Sequence, residues 1–243
     1  PLHRRFVEKS RSFRFRQFSV DQQSAITRIG TDGVLLGAWV NSLEGKRILE
    51  VGTGTGVIAL MMAQKNMKAV IDAIDIQPTE VVVAQKNFQL SPWPTRLQGH
   101  VCSLQDWQAE PYDHIISNPP YFINSAKAPD AARTLARHAE SLSLEDLAFH
   151  SKRLLHTDGK LSLILPLTEG MRFITLASLH QLFLARQCAF RARAQKPVER
   201  LLLEFQQSPV VPVISELILY ETDNNPTREY YELTQEFYLY REK

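Results

Sequence analysis

The chain has 243 residues, 44% of them hydrophobic and 22% charged, a length and balance suited to one globular α/β domain that buries its own core. Two cysteines, Cys102 and Cys188, exclude a disulfide framework and offer no zinc-ligand spacing, which fits a reducing compartment. The formal net charge is only +2, residues 1–30 hold no apolar leader segment, and no apolar run approaches the ~18 residues of a membrane span, so a cytoplasmic protein with no membrane partner is expected.

The charge is unevenly placed. Arg4, Arg5, Lys9, Arg11, Arg14 and Arg16 crowd the start of the chain against the single acid Glu8. Such an arm either follows phosphates or is a solvated terminus, and charge alone does not choose between them. A second basic stretch holds Arg186, Arg191, Arg193, Lys196 and Arg200.

From Lys46 onward, short apolar runs alternate with segments of helical period. Lys46–Val51 predicts a buried strand ending in a glycine loop, and Val57–Gln64 a helix. Ala69–Ile76 predicts a second strand, and Thr79 is placed to cap a helix running to Phe88. Leu97–Cys102 and Tyr112–Ser117 predict a third and a fourth strand. A helix over Ser143–Leu155 leads through Asp158-Gly159 into a fifth strand, Leu161–Leu165. After Pro166 come a helix near Gly170–Leu182 and strands near Ala189 and over Leu201–Phe205. The Pro-rich stretch Ser208–Val213 can begin an extra edge strand, and Tyr230–Tyr240 predicts a terminal amphipathic helix. Strands alternating with helices predict a doubly wound, mostly parallel α/β sheet with its ligand site at the carboxyl ends of the strands. An arm and helix over residues 1–45, then one structural unit over 46–243, is the simplest organisation.

The first loop reads Glu50-Val51-Gly52-Thr53-Gly54-Thr55-Gly56. Glycines let the backbone turn tightly and let a ligand approach without a Cβ in the way. A dinucleotide loop has the spacing G-x-G-x-x-G, and here the third glycine comes one residue early. That spacing resembles the loop of class I methyltransferases and implies S-adenosylmethionine as cofactor. On that resemblance Gly52, Thr53, Gly54 and Gly56 face its aminocarboxypropyl and ribose parts, and Glu50 helps hold the cationic amino group. Asp75, with Ile76 after it, ends the second strand, where a carboxylate is placed to accept hydrogen bonds from both ribose hydroxyls. Ser103 and Leu104, at the end of the third strand, would flank the adenine. Methyltransferases often carry an acid where Ser103 stands, and serine is the weaker acceptor.

The fourth strand runs into Asn118-Pro119-Pro120-Tyr121. An exocyclic amino nitrogen is a poor nucleophile because its lone pair is delocalised into the ring. The Asn118 side-chain oxygen and the Pro119 carbonyl can each accept one of its N–H groups, and both bonds strengthen as positive charge develops during methyl transfer. Tyr121 offers a ring face to a flipped-out planar group, and Pro119 with Pro120 stiffens the loop in advance. This chemistry calls for no metal and no covalent nucleophile, and Asn118 also borders the cofactor. His100, His114, His150 and His156 show no ligand spacing and are expected at the surface or at strand ends. Met61 and Met62 are expected in the core, and Trp93 packed within a loop.

With these motifs placed, the chain resembles the bacterial tRNA(Val) adenine N6-methyltransferases, which modify adenine 37 beside the anticodon. The similar segments are Phe15-Arg16-Gln17-Phe18, Gly30 to Trp39, the glycine loop, Ser91-Pro92-Trp93, Ser117 to Phe122, and Leu233 to Leu239. The resemblance implies a Rossmann-like fold with a seven-stranded sheet and a tRNA anticodon stem-loop as partner. It also sets Thr31-Asp32-Gly33 over the methionine end of the cofactor, with Gln17 nearby. Enzymes that methylate a glutamine side chain in release factors share the Asn-Pro-Pro-Tyr motif and form the alternative. They usually carry a helical domain ahead of the fold, where this chain has a basic arm. A non-enzymatic RNA-binding protein on the same scaffold is a third reading, against which the intact loops count. Whether the chain is a monomer or a homodimer is not legible.

Overall fold

A computed structural model describes residues 12–41, 46–120 and 142–240. These residues begin with a short hairpin, β1 (Ser12–Arg14) antiparallel to β2 (Ser19–Asp21), followed by helix α1 (Thr31–Trp39). Alternation then sets in with β3 (Arg47–Val51), α2 (Val57–Lys65), β4 (Val70–Asp75), α3 (Pro78–Gln89), β5 (Leu97–Val101) and β6 (Tyr112–Ser117). Next come α4 (Leu144–Leu154), β7 (Leu155–Pro166), α5 (Leu167–Leu179), β8 (Phe183–Arg191), β9 (Arg200–Gln206), β10 (Val213–Ile218) and α6 (Arg228–Thr234).

The large sheet has the order β10-β8-β9-β7-β6-β3-β4-β5. Strands β3 to β7 pair in parallel, β9 runs antiparallel to both its neighbours, and β10 lies parallel to β8. The expected doubly wound sheet is present, with eight strands among the described residues rather than seven. The added strand is β10, which follows the Pro-rich stretch onto the sheet edge. Chain order reverses between β3 and β6, so a crevice opens at their carboxyl ends.

Helices cover both faces, as a parallel sheet requires. One core holds Ile48, Ile71, Ile116, Ile164 and Leu202 of the sheet against α1, α2 and α3, and the other holds Leu49, Ile115, Leu163, Leu203 and Phe205 against α4 and α5. Helix α1 is buried without interruption from Gly33 to Trp39, so it has no polar stripe and lies between α2, α6 and β7. Gly37 permits that approach, since a Cβ there would stand 2.7 Å from Met61 Sδ. Lys65 of α2 donates to the carbonyls of Gly37, Ala38 and Val40, neutralising the C-terminal end of α1. Burial pushes its ammonium pKa down to about 8.

Three local expectations are corrected. Helix α3 begins at Pro78 with no side-chain cap, because a proline's fixed φ suits the first helical position, so Thr79 does not cap it. The terminal helix ends at Thr234, after which Phe237 and Tyr238 turn back onto the hairpin region. His114 is fully buried rather than at a surface or strand end. Its Nε2 lies 2.8 Å from Ser162 Oγ, and burial, with Lys160 nearby, pushes its pKa down to about 3. Met61 and Met62 are in the core, and Trp93 packs edge-on against Phe18.

Candidate active site

The carboxyl end of β3 turns into the glycine loop, whose Gly52, Gly54 and Gly56 all have positive φ, at 75°, 51° and 80°. The turn is closed by Gly56 N donating to Thr53 O at 2.8 Å, and Gly52 N and Thr53 N both donate to Ile74 O of β4. Asp75, one residue on, accepts from Gly54 N at 3.0 Å through Oδ2 and from Gln77 N at 2.9 Å through Oδ1. These two bonds fix the plane of the carboxylate while leaving it part-exposed at the mouth of the crevice. Ile76 is exposed beside it.

Glu50 lies directly beneath this loop and is 1% exposed. Its Oε2 accepts from Thr53 Oγ1 at 2.6 Å and from Ala59 N at 3.2 Å, while the buried Oε1 has no partner among the described residues. Burial, reinforced by the nearby Asp75, pushes the carboxyl pKa up to about 8 against the pull of the two hydrogen bonds. A buried oxygen without a donor is costly, and among the described residues Glu50 Oε1 shares this state with Gln64 Oε1, Glu80 Oε2, His114 Nδ1, Ser151 Oγ and Arg191 Nε.

Ser117 Oγ donates to Val51 O at 2.8 Å and so locks the end of β6 to the end of β3. Asn118, Pro119 and Pro120 therefore start beside the glycine loop. Asn118 is half-buried, Pro119 buried and Pro120 exposed. Gly33 of α1 faces them, since a Cβ there would lie 3.9 Å from Asn118 Nδ2 and 3.5 Å from Val57. Tyr121 and the arm upstream of Ser12 lie outside the described residues.

Residues 22–30 cross the glycine loop from above. Thr27 stands against Gly54, and its backbone N–H donates to Glu80 Oε1 of α3 at 2.6 Å. Asn87, on the same helix face, donates through Nδ2 to Asp21 O and Thr55 O and accepts from Asp21 N, tying the hairpin, the loop and α3 together. Neither Glu80 nor Asn87 was singled out from the sequence. Their signal was available, because both polar residues share the helix face of Ala84 and Phe88.

The remaining expected residues separate. Thr31 opens α1 and is exposed, while Asp32 forms an ion pair with Arg200, Oδ2 to Nε at 2.8 Å. Ser103 Oγ donates to Asp106 Oδ2 at 2.7 Å and accepts from Asp106 N, so a carboxylate does stand at the end of β5, held by the serine. Leu104 is buried in the α4 face of the core. Gln17 lines a depression with Asp21, Asn87, Ser91 and Pro92 along α3, and Asn87 in turn donates to Thr55 O of the glycine loop. Most of the second basic stretch has internal partners. Arg186 pairs with the buried Glu204 and lies 4.1 Å over the Trp39 ring, Arg191 pairs with Glu216, and Arg193 donates to Glu221 O at 2.8 Å. Among the described residues, no helix is long and apolar enough to cross a membrane.

The model of the methyltransferase small domain family matches residues 29–188. The tRNA1(Val) (adenine(37)-N6)-methyltransferase of Tolumonas auensis is 41% identical over 229 residues, which cover 94% of this chain and 97% of that protein. The protein of the same name from Vibrio cholerae is also 41% identical, over 231 residues covering 95% and 96%. Among solved structures, a predicted O-methyltransferase from Agrobacterium tumefaciens matches with a TM-score of 0.66 at 18% identity, covering 85% of this chain and 96% of its own. Ribosomal protein L11 methylase from Lactobacillus delbrueckii subsp. bulgaricus gives 0.56 at 16% identity, covering 77% and 83%. At such identities the two structures speak to the fold alone.

Proposed function

The chain belongs to the tRNA1(Val) (adenine(37)-N6)-methyltransferase family, and from that premise we propose that it methylates N6 of adenine 37 in the anticodon stem-loop of valine tRNA. It is an S-adenosylmethionine-dependent tRNA adenine N6-methyltransferase of the Rossmann-like class. The observation that carries the finer reading is the junction of the two loops, where the Ser117–Val51 bond sets Asn118 and Pro119 beside the glycine turn at the topological switch point.

The residues present fit the cofactor. Glu50 Oε1 is a buried acceptor lacking a donor, and a Cβ on Gly52 would meet nothing within 4 Å, so the loop is open to a ligand on that side. Glu50 would hold the amino group, Asp75 the ribose hydroxyls, and Ser103 with its bonded Asp106 the adenine edge. When bound, S-adenosylmethionine supplies an electrophilic methyl group on a sulfonium. The chain's own task is to present the nitrogen. The Asn118 oxygen and the Pro119 carbonyl accept its two hydrogens, hold it toward tetrahedral geometry and stabilise the growing positive charge. Tyr121, on the sequence reading, stacks the flipped base.

Asn118→Ala is the test. Cofactor affinity should stay nearly unchanged while single-turnover methyl transfer slows by about 10²–10³, the usual cost of one preorganised polar contact to a charge-developing centre. Nucleoside digestion of valine tRNA should show N6-methyladenosine with the wild-type protein and little with the variant. Methylation of a release-factor glutamine, with none in tRNA, would overturn the reading.

A further inference from the structure

Several elements meet at one corner of the carboxyl edge. The Asp32–Arg200 ion pair joins the first turn of α1 to the start of β9, and the next residue, Gly33, lies against Asn118. Two chain segments leave this corner. Four residues before Asp32 is Arg28, on the segment whose Thr27 stands over Gly54. Four residues before Arg200 is Lys196, in the loop between β8 and β9. Four residues span at most about 14 Å, so both cations lie close to the corner that touches Asn118.

Both side chains are exposed, and among the described residues neither makes a hydrogen bond or an ion pair through its cationic group. Their neighbours differ. Arg191 and Arg200 pair with Glu216 and Asp32, and Arg193 is held by Glu221 O and the Tyr220 ring. The acid next along the chain from Lys196, Glu199, forms no ion pair with it. The adjoining cleft of about 350 Å³ is lined by Arg193, Ala194 and Gln195 together with Glu221, Glu229 and the Arg191-paired Glu216, so its charges largely offset one another. A polyanion approaching along this edge therefore meets unpaired positive charge at two points near Asn118.

We propose that Arg28 and Lys196 form a two-point phosphate rim that grips the RNA backbone on either side of the base delivered to Asn118. The proposal rests on the tRNA reading above and adds the residues that position the strand. A base can turn out of a loop productively only when its flanking backbone is fixed, and phosphate contacts supply register while base contacts supply identity. Lys196 lies outside the segment that crosses the glycine loop, so removing its charge should leave cofactor binding and the chemical step alone, while Arg28 variants are read against their own measured cofactor affinity.

The experiment compares wild type, Arg28→Gln, Lys196→Gln, the double variant and the charge-keeping Arg28→Lys. Dissociation constants for valine tRNA are measured at 50 and 200 mM salt, with cofactor affinity and melting temperature as controls. One phosphate contact on single-stranded RNA contributes a slope of about 0.7 in log affinity against log salt, so each glutamine variant should cut the ratio of the two constants roughly threefold and the double variant roughly sevenfold. Arg28→Lys should keep the wild-type ratio, and Lys196→Gln should keep the wild-type kcat at saturating tRNA and cofactor. Wild-type ratios in both glutamine variants, while the protein still methylates tRNA, would overturn the rim and leave the function standing. A wild-type protein that neither binds nor methylates tRNA would overturn both.

Discussion

Glu50 is the residue at which burial and ligand chemistry meet most directly. Its carboxyl is pushed up to about 8 because it is desolvated, so the folded chain holds this proton at neutral pH while the unfolded chain, at an ordinary 4.5, has lost it. The sign follows. Between the two values the native state binds more protons than the unfolded state, so stability without cofactor should fall as pH rises from about 5 to 8 and level off above. Pairing with a cationic amino group requires the carboxylate, so cofactor binding near pH 7 should release a proton. Calorimetry in two buffers of different ionisation enthalpy measures this directly, and equal apparent enthalpies would show that Glu50 binds nothing ionised. Glu50→Gln should abolish the buffer dependence and weaken the cofactor by about 10- to 100-fold, the worth of a charge-assisted hydrogen bond. The identity of Glu50 was legible from its place before the loop. Its protonation was not, because desolvation and the charge of Asp75, which outweigh the bonds from Thr53 and Ala59, arise only when the chain folds around it.

At the scale of elements, the glycine loop shows where reading a pattern stops short. The G-x-G-x-G spacing was visible, yet the three glycines serve different ends. Gly54 has a φ of 51° and its missing Cβ would meet only Thr27, at an ordinary 3.6 Å. Gly56 starts α2 at a φ of 80°, and a Cβ there would stand 2.5 Å from the Phe88 ring and 3.2 Å from Ala84. Gly54→Ala should therefore cost only the left-handed strain, about 1–2 kcal/mol. Gly56→Ala adds overpacking against α3, about 1–3 kcal/mol more. Urea denaturation of the two variants should rank them in that order, and equal midpoints would mean that Phe88 yields freely. The contact with Phe88 bridges thirty-two residues, so no local spacing announces it. The β1–β2 hairpin was missed for another reason. Two strands of three residues, Ser-Phe-Arg and Ser-Val-Asp, hold one apolar position each, too few for a period to show. Pro78, by contrast, is a plain start signal, since a proline at the first helical position needs no side-chain cap from Thr79.

Over the whole molecule, the two ends of the fold hold each other. Phe15 stacks on Phe18 at 4.6 Å and on Tyr238 at 6.1 Å, Arg16 N donates to Phe237 O, and Arg16 Nη1 donates to Gln235 O across 219 positions of sequence. Gln64 of α2 donates to Glu236 O and ties this clamp to the central fold. The segments 15–18 and 233–239 were both picked out by family resemblance, but nothing in either says that they meet. Their meeting gives residues 12–30 two anchors, this aromatic clamp at one end and Asn87 with Glu80 at the other, with Thr27 spanning the glycine loop between them. A chain ending at Thr234 tests what the clamp contributes. It loses the fully buried Phe237 and uncovers Phe15, each worth about 1.5–3 kcal/mol of burial. Because α1 shares its core with α2, that loss should loosen residues 12–30 without unfolding the sheet. Backbone amides of Phe15 and Thr27 should exchange faster, cofactor KM should rise, and kcat at saturating cofactor should stay near wild type, since Asn118 and Pro119 are held from β6. Unchanged protection at Phe15 and Thr27 would mean that α3 alone fixes the cover, and a fall in kcat at saturating cofactor would extend the clamp's reach to the catalytic loop.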